Sequence, residues 1–117
     1  LSVTVPGNPR PKSRPRVTSH GVYSVKAQVA HENAVAWTLR AALGHERFDG
    51  PVVVTVRFYR VNRHAVDTDN LLKLVLDAGN HVAWEDDRQV VKVSAEIHID
   101  HANPRTEIEI TAAEEEP

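Results

Sequence analysis

The chain has 117 residues, 41% hydrophobic and 26% charged, which is one domain's worth near the globular average. No apolar run approaches the roughly 18 residues of a membrane-spanning helix. The absence of Cys excludes disulfides, thiolate nucleophiles and zinc–sulfur sites, and suits a reducing cytoplasm.

The formal charge of -2 hides a sorted chain. Residues 1–31 carry Arg10, Lys12, Arg14, Arg16 and Lys26 and no carboxylate. Residues 106–117 carry Glu107, Glu109, Glu114, Glu115 and Glu116 and no Lys or Arg. Setting those five glutamates aside leaves 14 basic residues against 11 acidic ones, a mildly basic body.

Leu1 is no initiator and no basic-then-apolar leader follows it, which reads as a trimmed start. Ser2–Val5 is a short strand ending at Pro6-Gly7. Pro9, Pro11 and Pro15 then force extended backbone, so residues 6–16 form a basic, proline-rich arm. Val17 and Val22-Tyr23 flank a turn at His20-Gly21, a small hairpin. From about Val25 to Leu43, Ala30, Ala34, Trp37 and Ala41 recur at helical spacing, with Ser24 as cap and Gly44 as terminator. A second apolar row, Val35, Leu39 and Ala42, makes this helix wider in apolar girth than one buried face requires. It is either sandwiched in the domain or in part against another subunit.

Val52–Arg60 alternates as a strand with Val52, Val54, Val56 and Phe58 on one face. Leu71–Ala78 is a short helix with Asn70 or Asp69 as its cap, broken at Gly79-Asn80-His81. Val90–Ile99 and Thr106–Ala112 alternate as two further strands, and residues 113–117 form an acidic tail expected to fray. The expected fold is α+β: a single domain over residues 1–117, two helices on a mixed β-sheet.

The chemistry concentrates in Asp67-Thr68-Asp69-Asn70, in Lys73 one turn later, and in Glu85-Asp86-Asp87 before the strand Val90–Ile99. Both groups lie at strand ends, which can converge at one rim. Clustered carboxylates without His or Cys repel unless a proton or cation intervenes, and oxygen-only ligands suit Mg²⁺ or Mn²⁺. Such an ion activates water and stabilises the leaving oxygen of a phosphodiester, and Lys73 can neutralise charge on the attacked phosphate. The competing structural reading makes Asp69 and Asn70 helix caps and Asp86-Asp87 ordinary turn residues.

Three blocks carry a resemblance: V-P-G-x-P-R-P-K-x-R-P-R at Val5–Arg16, D-x-D-N-L-L-K-x-x-L-D-A at Asp67–Ala78, and W-E-D-D-R-Q-V-V at Trp84–Val91. In this order, over Val5 to about Ile110, the chain resembles the RusA family of Holliday-junction resolvases. The resemblance implies a RusA-like fold and a homodimeric, Mg²⁺-dependent endonuclease that nicks four-way DNA junctions symmetrically, with Mn²⁺ a possible substitute. It puts the catalytic aspartates on Asp67, Asp69 and Asp87, the catalytic lysine on Lys73 and a companion acid on Asp86. The metal set it implies is therefore Asp67, Asp69, Asp87 and Asp86. One departure is visible: where the family usually reads D-A-L-N-G-V, Gly79 replaces the Leu and His81 the Gly. A two-fold junction needs paired cuts and the chain has one carboxylate cluster, so two subunits about a two-fold axis would supply two sites.

Arg10, Lys12, Arg14 and Arg16 are the expected phosphate-binding set, carrying affinity without base information. Only 5% of residues are aromatic, so base stacking is not expected to dominate. Trp84 reads as a core residue beside the active loop rather than a DNA wedge. His98, Asp100 and His101 are weak candidates for a second metal site, and Lys73 with Asp77 forms a potential i,i+4 pair. Rival functions are a flap, fork or single-strand nuclease of the same chemistry, and a junction-binding module that no longer cuts. A phosphatase with a DxD nucleophile lacks room for its doubly wound sheet and lid.

Overall fold

A strand of alternating β-branched residues forms the centre of the fold. In the computed structural model, β2 (Val52–Arg60) buries every second residue. Val52, Val54, Val56 and Phe58 are at most 1% exposed and face two helices. The structure describes residues 1–12, 19–63 and 66–113, with the side chains of the first helix from Lys26 onward. Those residues form one α+β domain in the order β1 (Ser2–Pro6), α1 (Ser19–Leu43), β2, α2 (Thr68–Gly79), β3 (Val90–Ile99) and β4 (Arg105–Ala112). A single 3-10 turn, Asp87–Gln89, leads into β3.

The sheet is mixed, as expected, with strand order β1-β4-β2-β3. β4 pairs antiparallel with both β1 and β2, while β2 and β3 run parallel. A parallel pair requires a crossover, and α2 supplies it. That connection brings the start of α2 from the end of β2 and returns its far end toward the start of β3.

Of the expected hairpin, the turn at His20-Gly21 and the strand at Val22-Tyr23 are helical instead, while Val17 lies outside the described residues. From Ser19 onward the chain is already helical, so Ser24 is an interior residue of α1 rather than its cap. Nothing in Ser19–Lys26 is a proline, and a 25-residue helix tolerates Gly21 at a cost of about 1 kcal/mol. Gly44 does end α1 in the left-handed region (φ +65°), its N–H on the Arg40 carbonyl at 2.8 Å.

The face of α1 also differs from expectation. Val35 and Leu39 are fully buried and Gln28 nearly so, whereas Ala30, Ala34, Trp37 and Ala41 are exposed, Trp37 at 72%. Val35 and Leu39 join the core cluster with the inward residues of the sheet, and that packing sets the facing side of α1 although Trp37 is the larger side chain.

α2 starts three residues before the expected Leu71, with Asp67 as its N-cap rather than Asp69 or Asn70. Leu71, Leu74, Val75 and Ala78 form its buried stripe. β3 matches its expected bounds, yet its apolar row is not covered. Val93, Ala95 and Ile97 pair with Val54, Val56 and Phe58 and so share their face. Val91, Val93 and Ile97 nevertheless remain 60%, 41% and 37% exposed. β3 is the sheet edge beside α2, and the helix layer stops short of it.

Candidate active site

The start of α2 is built by its own backbone. The Asp67 carbonyl accepts from the N–H groups of Asn70 and Leu71, both at 3.1 Å. Asp69 and Lys73, four residues apart, then share one flank of the helix. With Leu72, Leu76 and Asp77 they form one wall of an open cleft of about 300 Å³, closed by Asp87 and Val90. The two motif groups, separated by the rest of α2 and its following loop, therefore meet. Asp69, Lys73 and Asp87 are all exposed to solvent there. Lys73 forms no ion pair among the described residues, because Asp77 is taken by Lys12 Nζ at 3.3 Å rather than pairing with Lys73.

Asp67 does not line this cleft. Its carboxylate is exposed at the cap, with Asn70 Nδ2 at 3.4 Å from Oδ2. Asp86 is also directed elsewhere: its Oδ1 accepts from Arg88 N–H at 2.9 Å and caps the 3-10 turn. That hydrogen bond and the adjoining Arg88 side chain hold the Asp86 carboxyl below the usual carboxylate range. Among the described residues, no three His, Cys, Asp or Glu side chains group closely enough to hold a metal ion. Two carboxylates, Asp69 and Asp87, line the cleft alongside Asp77 in its ion pair. This is an oxygen-only donor set, and Mg²⁺ is commonly held by one or two carboxylates with water and phosphate completing the shell.

The loop between α2 and β3 fixes Asp87. Trp84 is 1% exposed, and its indole lies directly against Gly79. A Cβ at residue 79 would sit 2.6 Å from Trp84 Cη2 and 2.8 Å from Cζ2, so this position requires glycine. His81 then takes the left-handed conformation (φ +66°) that would favour glycine, two residues after the Gly79 that packing demands. Trp84 Nε1–H donates to Asp87 Oδ1 at 3.0 Å. Gln89 ties the same loop down: its Oε1 accepts from the N–H groups of Glu85 (2.9 Å) and Asp86 (3.1 Å). Its Nε2 donates to the carbonyls of Phe48 (2.7 Å) and Gly50 (3.0 Å). The sequence reading missed the roles of Trp84 and Gln89; the D-x-x-Q spacing of a capping box at Asp86–Gln89 was the available signal.

The basic arm divides. Arg10 is exposed and without an ion pair among the described residues. Lys12 is instead a tie between the helices, 2.6 Å from Glu32 Oε1 on α1 as well as near Asp77 on α2. Its backbone N–H also donates to the Asn70 carbonyl at 2.9 Å. The hydrogen bond to Glu32 is the main reason that the Lys12 pKa lies above its ordinary value. Arg14 and Arg16 lie outside the described residues, as does the acidic tail beyond Ala113.

Trp84 is core, as expected. Of the weak candidates at the far end of β3, His98 and Asp100 have protein partners. His98 stacks on Tyr59 and lies 3.0 Å from Glu96 Oε2, while Asp100 accepts from Arg105 Nη1 at 2.9 Å. Arg105 lies over the Tyr59 ring at 3.7 Å. Among the described residues, no helix is long and apolar enough to cross a membrane.

The chain matches one family over nearly its whole length. Residues 6–111 match the family model described as Endodeoxyribonuclease RusA, nearly the whole chain. No curated protein matches it. With its two acidic blocks meeting in one cleft and that match spanning them both, the chain belongs to the RusA family of endodeoxyribonucleases, nucleases whose substrate is DNA.

Proposed function

We propose that the protein is a structure-selective endonuclease that resolves four-way DNA junctions by paired, symmetric nicks, acting as a Mg²⁺-dependent homodimer. The observation that carries this reading is the convergence of Asp69, Lys73 and Asp87 on one cleft in a chain of this family. Asp69 and Asp87 would hold the ion, which supplies Lewis-acid charge at the phosphate and a water of lowered pKa. Asp67 and Asp86 are assigned by resemblance alone. Asp67 sits at the helix cap, outside the cleft, and Asp86 shapes the loop that carries Asp87.

Lys73 projects from the same helix flank as Asp69, so one rigid element sets the spacing of cation and anion. Its ammonium is placed to stabilise negative charge developing on the phosphate oxygens, where a preorganised charge is worth more than in water. Arg10, with Arg14 and Arg16, would contact phosphates along the junction arms. The exposed apolar flank of α1, with Val29 at 49% and Trp37 at 72% exposure, is compatible with a subunit interface. A lone protomer offers one such cleft, so symmetric cutting follows from two-fold assembly.

Cleavage of a synthetic four-way junction, a flap, a fork and a linear duplex under Mg²⁺ tests the reading. Preferred, paired nicking of the junction is expected. Equal cutting of the linear duplex would overturn it, and preference for the flap or fork would reassign the substrate. Binding without cutting would make the chain a junction-recognition module.

A further inference from the structure

The buried indole of Trp84 performs more than packing. We infer that Trp84 is a positioning residue for the nuclease site, its N–H orienting the Asp87 carboxylate toward the metal. The inference rests on the metal reading above. A buried Trp N–H needs an acceptor, and any loop carbonyl would serve. The acceptor here is instead Oδ1 of the one acidic side chain that the α2–β3 loop contributes to the cleft. One hydrogen bond occupies one of about four lone-pair sites on a carboxylate and leaves the others for a cation.

The donor is itself immobilised. The Trp84 ring is pressed on Gly79 at the end of α2, the helix that carries Asp69 and Lys73. The position of Asp87 is thereby referenced to the helix bearing the other two groups. Gln89 supports the arrangement from the opposite side. With both amide hydrogens and its oxygen engaged, it clamps Glu85 and Asp86 to the α1–β2 connection. Outer partners that orient a ligand typically contribute 10–100-fold in metal affinity.

The chain holds two tryptophans, and Trp37 lies on α1 and does not line the cleft, which makes it an internal control. In ¹⁵N-labelled protein without DNA, Mg²⁺ titration should move the Trp84 indole resonance saturably upfield, as its acceptor gives up electron density, and leave Trp37 still. Calorimetric titration of Trp84→Phe, which keeps an aromatic ring and loses the donor, should show Mg²⁺ binding weakened about tenfold. An unmoved Trp84 resonance in a protein that binds Mg²⁺ would overturn the inference, as would parental affinity in Trp84→Phe. If Trp84→Phe fails to fold, the parent's two resonances decide alone. Absence of any Mg²⁺ binding by the parent would instead remove the metal reading, and this inference with it.

Discussion

The loop between α2 and β3 and the basic arm before α1 have opposite relations to their own sequence. In the loop, Asp86, Asp87 and the Gln89 side-chain oxygen find partners within four residues, and the Gln89 amide group alone of these reaches further, to Phe48 and Gly50. In the arm, Lys12 finds its carboxylates 20 and 65 positions away, on two different helices. Local spacing therefore announces the loop's geometry, whereas the absence of acids around Lys12 in the sequence says nothing about the acids around it in space. A charge run is a statement about composition until the fold has allotted its partners.

The largest expected effect falls on the cleft that this loop closes against α2. Asp69→Asn should reduce junction cleavage by about 10³-fold or more, since a charge that acts on the transition state is removed. Junction binding, measured separately by gel shift, should be preserved or tightened, because the change deletes a negative charge facing phosphate. Markedly weaker binding by the folded variant would mean that the cleft is not where the DNA backbone sits.

Gly79→Ala tests the support of the same loop. The new Cβ would overlap a Trp84 ring that is buried and has no free direction to move. Overpacking of this kind costs about 1–3 kcal/mol, against a helix-propensity gain of roughly 0.5–1 kcal/mol. A net fall of several degrees in the thermal midpoint is expected, with weaker Mg²⁺-dependent cleavage. An unchanged midpoint would show that the ring is not seated as described.

This contrast also explains what could be read in advance. β2, β3 and β4 were legible because period-2 alternation is intrinsic to each strand, and their observed bounds agree within a residue. That the blocks Asp67–Asn70 with Lys73 and Glu85–Asp87 could meet at one rim was legible because helical spacing and strand ends are local features too, whereas the choice of residues within the blocks came from the family resemblance alone. The buried side of α1 was not. Two apolar rows competed, and the choice of Val35 and Leu39 over Ala34 and Trp37 was made by the sheet, which no α1 residue encodes. The turn and strand expected at residues 20–23 failed for a related reason, since short β-like segments yield to an adjoining long helix. Asp67 and Asp86 matched a motif equally well, yet side-chain direction places neither in the cleft.

The arm supplies a smaller effect that sharpens the comparison. Arg10→Ala should weaken DNA binding for all sequences alike and lower the slope of log affinity against log salt by about one. Lys12→Ala should leave that slope unchanged, since its ammonium is already paired in the protein. It should instead destabilise the fold by roughly 0.5–1 kcal/mol, the modest worth of a partly exposed ion pair. Because the Lys12 pKa is raised in the folded state, this contribution is present below its ordinary value of 10.5 and is lost as pH rises through the higher folded value. If both variants change the salt slope equally, DNA binding breaks the Lys12 tie and the roles of Arg10 and Lys12 are not separate.

The smallest effect lies where the arm meets α1. His31 is half-buried, and desolvation first, with the charge of Arg10 second, holds its pKa below 6.5. A group whose protonation is disfavoured by folding leaves stability intact while both states are neutral, above about pH 6.5. As pH falls through that value, the unfolded chain takes up a proton that the folded chain resists, so stability declines until the lower folded value is passed. The thermal midpoint measured from pH 8 to pH 5 should therefore drop less steeply in His31→Gln than in the parent. Arg10→Ala should move the His31 titration, followed by its ring proton resonances, toward higher pH without restoring it fully, because the larger cause is burial and remains. Full restoration would make Arg10 the dominant neighbour. No movement would mean that the Arg10 side chain stands clear of α1, free for phosphate in a way that Lys12 is not.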